Sequence, residues 1–124
     1  MFMQVLSPAT ALWDQQTLFV VHGPGQLPRG RVAAWSPLTD EGWTLVFPHW
    51  ESPADLREHL QDCRRRGLDR SRVVIVGVSD GAPFALQLAR DVGLPCLRVS
   101  EGEPLAVIAS EALKAIPPGP EGYG

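Results

Sequence analysis

Two runs of the chain, Thr17–Val21 (TLFVV) and Val73–Val76 (VVIV), are apolar, β-branched and almost free of polar alternation. That is the pattern of strands covered on both faces of a parallel sheet. Thr44–Phe47 and Cys96–Val99 are shorter runs of the same kind, and Met3–Leu6 reads as a further strand at an edge. Turn signals follow the runs: Gly23-Pro24-Gly25, Pro48, Gly77, and Ser100 through Gly102.

Between the strands the apolar period changes to that of a helix. Ser52-Pro53-Ala54-Asp55 offers a capping residue, a proline at the first helical position and an acid at the third. Leu56, Leu60 and Cys63 then recur at helical spacing, and Gly67 after three arginines is a stop. His59 lies beside this stripe and reads as a partly exposed helix residue. Ala82–Val92 has little polar face, which predicts a helix buried against the sheet. Leu105–Ile116 is a third helix, with Val107, Ile108, Ala112, Leu113 and Ile116 in step. In Pro28–Glu41, Val32, Ala33 and Trp35 suggest a short helix that Pro37 interrupts. Alternation of strands and helices implies a single three-layer α/β domain over 1–116. It has a mostly parallel sheet of four or five strands with helices on both faces, the VVIV strand being central. Residues 117–124 (PPGPEGYG) are expected to form a flexible C-terminal tail.

Composition narrows the class without naming a function. The 124 residues are 44% hydrophobic and 20% charged with a net charge of -3, which gives no general attraction to nucleic acid or anionic membranes. The one basic cluster, Arg64, Arg65, Arg66, Arg70 and Arg72, is interspersed with acids and falls mainly at a helix C-terminus, where the macrodipole favours cations. The two cysteines, Cys63 and Cys96, are far apart and read as buried thiols, and neither metal nor cofactor is expected. No signal peptide and no apolar stretch of membrane-spanning length is visible, so a cytoplasmic setting is expected.

One motif carries chemistry. Gly77-Val78-Ser79-Asp80-Gly81-Ala82 satisfies G-x-S-x-G between a predicted strand and a predicted helix. A serine on such a turn is held in strained backbone geometry at the C-terminal edge of the sheet. Small neighbours are required because strand and helix backbones approach closely there. The adjacent helix N-terminus favours developing negative charge.

Residues Leu68 to Ala82, with this motif at their end, resemble the segment entering the nucleophile elbow of α/β-hydrolases, in particular small carboxylesterase-like ones. Phe19-Val20-Val21-His22-Gly23-Pro24-Gly25 is similar to the strand and oxyanion loop of that family, and Gly42–Pro48 to its following strand. The resemblance spans about Thr17 to Val99 and implies an α/β-hydrolase-like core. It makes Ser79 the nucleophile position and the Asp80 N–H the first oxyanion donor, with Gly23 or Gly25 beside it.

The chain departs from that pattern at the base. The family orders its triad as nucleophile, acid, histidine, yet His22, His49 and His59 all precede Ser79. His49, at a strand end, is the only candidate base, while His22 reads as support for its loop. Pro24 has no N–H to donate to an oxyanion. Glu101 and Glu103 follow the last strand, near where a family acid sits, and also suit a helix start.

Two functions follow. One is a non-catalytic relative that binds a small ligand (an ester or an acid) or a protein partner at the Ser79 edge. The other is a minimal serine esterase or thioesterase. A nucleotide-binding fold is disfavoured because no G-x-G-x-x-G follows a strand. The apolar edge Cys96–Val99 and the helix Leu105–Ile116 are where a homodimer contact is expected.

Overall fold

The computed structural model describes residues 3–6, 16–23, 32–66, 68, 70–100 and 102–116. Five strands form one sheet: β1 (Met3–Leu6), β2 (Thr17–Val21), β3 (Thr44–Pro48), β4 (Val73–Val78) and β5 (Cys96–Val99), in the order β1-β3-β2-β4-β5. β3, β2, β4 and β5 run parallel, while β1 pairs antiparallel with β3 at the edge. Every residue of β2, β3 and β4 is buried, as unbroken apolar runs require of strands covered on both sides.

Side chains of successive strand residues part to opposite faces, and two cores result. Phe19, Val21, Val46, Val73 and Ile75 face the helices α1 (Pro53–Arg65) and α2 (Ala82–Val92), meeting Leu56, Leu60, Cys63, Ala85, Leu88 and Ala89. Leu18, Val20, Leu45, Phe47, Val74, Val76 and Val78 face α3 (Leu105–Ala115) and the 3₁₀ turn Ser36–Glu41, meeting Ile108, Ala109, Ala112, Leu38, Trp35 and Trp43. Each buried aliphatic side chain contributes about 1.5–3 kcal/mol against leaving it in water. The expected three layers are therefore present: one sheet with helices on both faces.

The start of α1 follows its sequence signal. The Asp55 carboxylate accepts the backbone N–H groups of Ser52 and Glu51 at 3.1 and 3.0 Å. This holds its pKa below the ordinary carboxylate value of 3.8. At the other end Arg64 and Arg65 occupy the last turn, and Arg66 pairs with Asp62 at 3.1 Å. α2 ends on Gly93, whose φ of 72° is the left-handed conformation that closes a helix at little cost to glycine.

Several expectations need correction. The middle strand is β2; β4 lies between β2 and β5, because the five-stranded sheet extends through β3 to β1 on the other side. β4 also runs two residues past Val76: Gly77 and Val78 continue the ladder, pairing with Val21 and with Arg98 and Val99. The short helix is present at Val32 and Ala33 and has ended by Ala34, and Pro37 then opens the 3₁₀ turn Ser36–Glu41, where a first-turn proline gives up no helical hydrogen bond. His59 is buried, at 3% exposure. Cys63 is buried as expected, but Cys96, on the edge strand, is only half-buried. Pro24, Gly25, Gly67, Asp69, Glu101 and the tail 117–124 lie outside the described residues. Among the described residues no helix is long and apolar enough to cross a membrane. Val107 and Leu113 of α3 are exposed at 46% and 53%, on the surface where the homodimer contact was expected.

Candidate functional site

The elbow is built from its backbone. Val78 ends β4 in extended conformation (φ -106°, ψ 121°), and Gly81 (φ -78°, ψ -13°) and Ala82 (φ -58°, ψ -45°) are already helical. Between them Ser79 has a φ of +48°, the only positive φ at a non-glycine among the described residues. For an L-residue that conformation costs about 1–2 kcal/mol. Outliers of this kind persist only where the surrounding structure enforces them. Here two close contacts do so. A Cβ on Gly77 would lie 2.6 Å from Ala82 Cα and 2.8 Å from Ala85 Cβ. One on Gly81 would overlap the Val21 carbonyl oxygen and lie 2.7 Å from the His22 carbonyl carbon. The two glycines of G-x-S-x-G thus let the turn press against α2 on one side and against the end of β2 on the other. Ser79 and Asp80 are both exposed at the C-terminal edge of the sheet.

Gly23 belongs to the same cluster. A Cβ added to it would lie 3.5 Å from the Asp80 Cβ, so the second residue past β2 lies directly on the elbow. The N–H groups at the start of a helix have no intrahelical acceptor. Asp80 stands in the first turn after β4, and Gly23 lies against it, beside the exposed Ser79. Gly25 is outside the described residues.

Two buried side chains pin the strand ends that frame this edge. The Trp50 indole Nε1–H donates to the His22 carbonyl at 2.9 Å, and its ring packs on Phe84 of α2 at 4.8 Å between centroids. His59 Nε2–H of α1 donates to the His49 carbonyl at 2.8 Å. The His22 ring is half-buried, 6.3 Å from the Trp35 ring and 6.2 Å from the Phe47 ring. His49 follows β3, and β2 lies between β3 and β4. Two strand spacings, about 10 Å, therefore separate its backbone from the strand that carries Ser79. Sequence spacing foretold none of this pinning; Trp50 and His22 are 28 residues apart.

Beside the elbow, on the α3 face, lies an open cavity of about 190 Å³ lined by His22, Trp35, Val78, Glu103, Leu105 and Ile108, with Ala34, Ser100 and Gly102 at its margin. Its walls come from the ends of β2, β4 and β5 and the start of α3. The sequence puts Glu103 after the last strand but gives no sign that Trp35 faces it. Neither thiol belongs to the site: burial, helped by Asp62, pushes Cys63 up to about 11, and burial also raises Cys96. Among the described residues no group of three or more His, Cys, Asp or Glu is placed to hold a metal ion.

The sheet, the strained Ser79 and Gly23 together make a mostly parallel α/β core with a strand–turn–helix serine at its C-terminal edge. No family model matches the chain, and no curated protein does. Among solved structures, it is similar to a proline iminopeptidase of Mycobacterium smegmatis, at 22% identity and a TM-score of 0.49, over 70% of this chain and 34% of that one. It is also similar to EstE5, in a crystal soaked with ethyl alcohol, at 17% identity and a TM-score of 0.49, over 80% of this chain and 43% of that one. The chain spans less than half the length of either protein.

Proposed function

We propose that the Ser79 edge is the acyl-binding part of a serine-hydrolase-type site for small esters or thioesters. The observation that supports this reading is the φ of +48° at Ser79, which the packed turn enforces while the side chain it presents stays exposed. In such a site the Ser79 Oγ attacks the carbonyl carbon while a base takes its proton. The carbonyl oxygen becomes an oxyanion, and the Asp80 and Gly23 N–H groups stabilise it. Collapse of that intermediate breaks the bond to the alcohol or thiol, which leaves with the proton returned by the base, and water then releases the acyl group from Ser79 as an acid. His49 is the candidate base within the described residues. To serve, the loop after β3 has to fold across His22 and Gly23.

A second reading keeps the pocket and drops the chemistry. It is favoured by the position of His49: two strand spacings separate its backbone from the strand that carries Ser79, and its carbonyl is held by the buried His59. A hydroxyl without a base is a weak nucleophile at neutral pH, so such an edge would bind ligands without turning them over. An alkyl fluorophosphonate probe separates the two. Covalent labelling that maps to Ser79 and vanishes in Ser79→Ala supports the hydrolase-type site. If wild-type protein is not labelled between pH 6 and 9, the binding-only reading replaces it.

A further inference from the structure

The cavity beside the elbow has a chemistry distinct from that of the carbonyl site. We propose that it binds a monocyclic aromatic ammonium compound, with the ring between the Trp35 and Ile108 walls and the charge at Glu103. Size sets the first limit: about 190 Å³ is somewhat larger than a cavity of about 150 Å³ known to hold benzene. One ring with a short side arm fills it. Leu105, Ile108, Val78 and Trp35 supply apolar and aromatic walls, the usual lining of a small-molecule site with a few convergent polar groups.

Charge sets the second limit. Glu103 is half-buried and lines the cavity. Among the described residues it has no ion-pair partner, and no lysine or arginine lines the cavity. The N-terminus of α3 begins two residues later and opposes it, but a helix end carries only about half an elementary charge against the whole charge of a carboxylate. Among the described residues that line it the balance is negative, so an ammonium is favoured and a carboxylate ligand is repelled. Trp35 adds an aromatic side chain to the lining, and an indole attracts cations over its face in the same sense. Ser79 is not among the lining residues, so this inference stands or falls without any reaction at the elbow.

The test compares benzylamine, benzyl alcohol and benzoate, three ligands of one shape and different charge. Each is titrated at pH 8, where an ordinary imidazole is uncharged, into ¹⁵N-labelled protein followed by amide chemical shifts. Benzylamine is expected to bind about tenfold more tightly than benzyl alcohol, the usual scale of one charge-assisted contact at a part-exposed site. Benzoate should bind least, with shifts centred on Trp35, Val78 and Leu105. In Glu103→Gln the preference for the amine should disappear while benzyl alcohol binding persists, and in Ser79→Ala nothing should change. Benzoate binding equal to that of the amine would overturn the proposal. So would a preference that survives Glu103→Gln, or shifts at another surface. Absence of binding by all three at millimolar concentration would overturn it as well. Because Ser79→Ala is silent here, failure of probe labelling at Ser79 leaves this result untouched.

Discussion

At Ser79 a residue with a Cβ occupies backbone space that glycine enters freely, and the difference can be measured. Both Ser79→Ala and Ser79→Gly remove the hydroxyl, but only glycine relieves the φ of +48°. The glycine variant is expected to be more stable than the alanine variant by about 1 kcal/mol, read from urea midpoints. Equal stability would mean that the strain is not real in solution. Gly81 is the opposite case: its φ is ordinary, and only space forbids a side chain. Gly81→Ala drives a methyl group into the Val21 and His22 backbone, so a loss of about 1–3 kcal/mol is expected, together with displacement of the Gly23 loop. The thiols differ by position. Cys63 is on the buried face of α1 and Cys96 on the edge strand, so an aromatic disulfide reagent should react with Cys96 first and reach Cys63 only on unfolding. Since Cys63 holds its proton up to about 11 when folded, against 9.0 ordinarily, its contribution to stability is full below pH 9. It is lost as pH rises toward 11.

Among the elements, α1 depends on its first turn, where Asp55 accepts two backbone N–H groups. Its pKa is lowered on folding, so its contribution is present above the unfolded value and lost as pH falls through the folded one. Asp55→Asn should therefore lower the melting temperature at pH 7. The gap from wild type should close below about pH 4, near the reference value of a free aspartate. A gap that persisted at pH 2.5 would assign the effect to something other than the carboxylate charge. The other end of the same helix needs no special account of its arginines. Arg64, Arg65 and Arg66 stand at a helix C-terminus, and Arg66 is paired within it.

For the whole molecule the sheet sets the order of stability. β2 and β4 have neighbours on both sides and cores on both faces, whereas β1 and β5 are edges. Amide exchange should be slowest in Phe19–Val21 and Val74–Val76, approaching the rate of global unfolding, and fastest among the strands in β1. Protection in β1 equal to that in β4 would contradict this ranking. The same arrangement brings the functional groups together. β2 and β4 are adjacent, so Gly23, just past one, lies on the elbow after the other, and the start of α3 closes the cavity from β5.

How far the sequence alone reaches depends on how local each cause is. Apolar runs, helical spacing and capping residues act within a few positions, and they determined the five strands, the three long helices and the two-faced core. The elbow was legible for the same reason: Gly77, Ser79 and Gly81 are close in the chain, and the turn they make is local. Strand order is not local. It decided that β2 rather than β4 is central, and that His22 and Gly23 rather than His49 neighbour the elbow. Only the packed structure could bury His59 against the His49 carbonyl, set Trp50 under the His22 carbonyl, and bring Trp35 and Glu103 into one cavity. Those contacts join residues separated by ten, 28 and 68 positions, whose side chains meet because two cores close around one sheet, and no spacing along the chain encodes that closure.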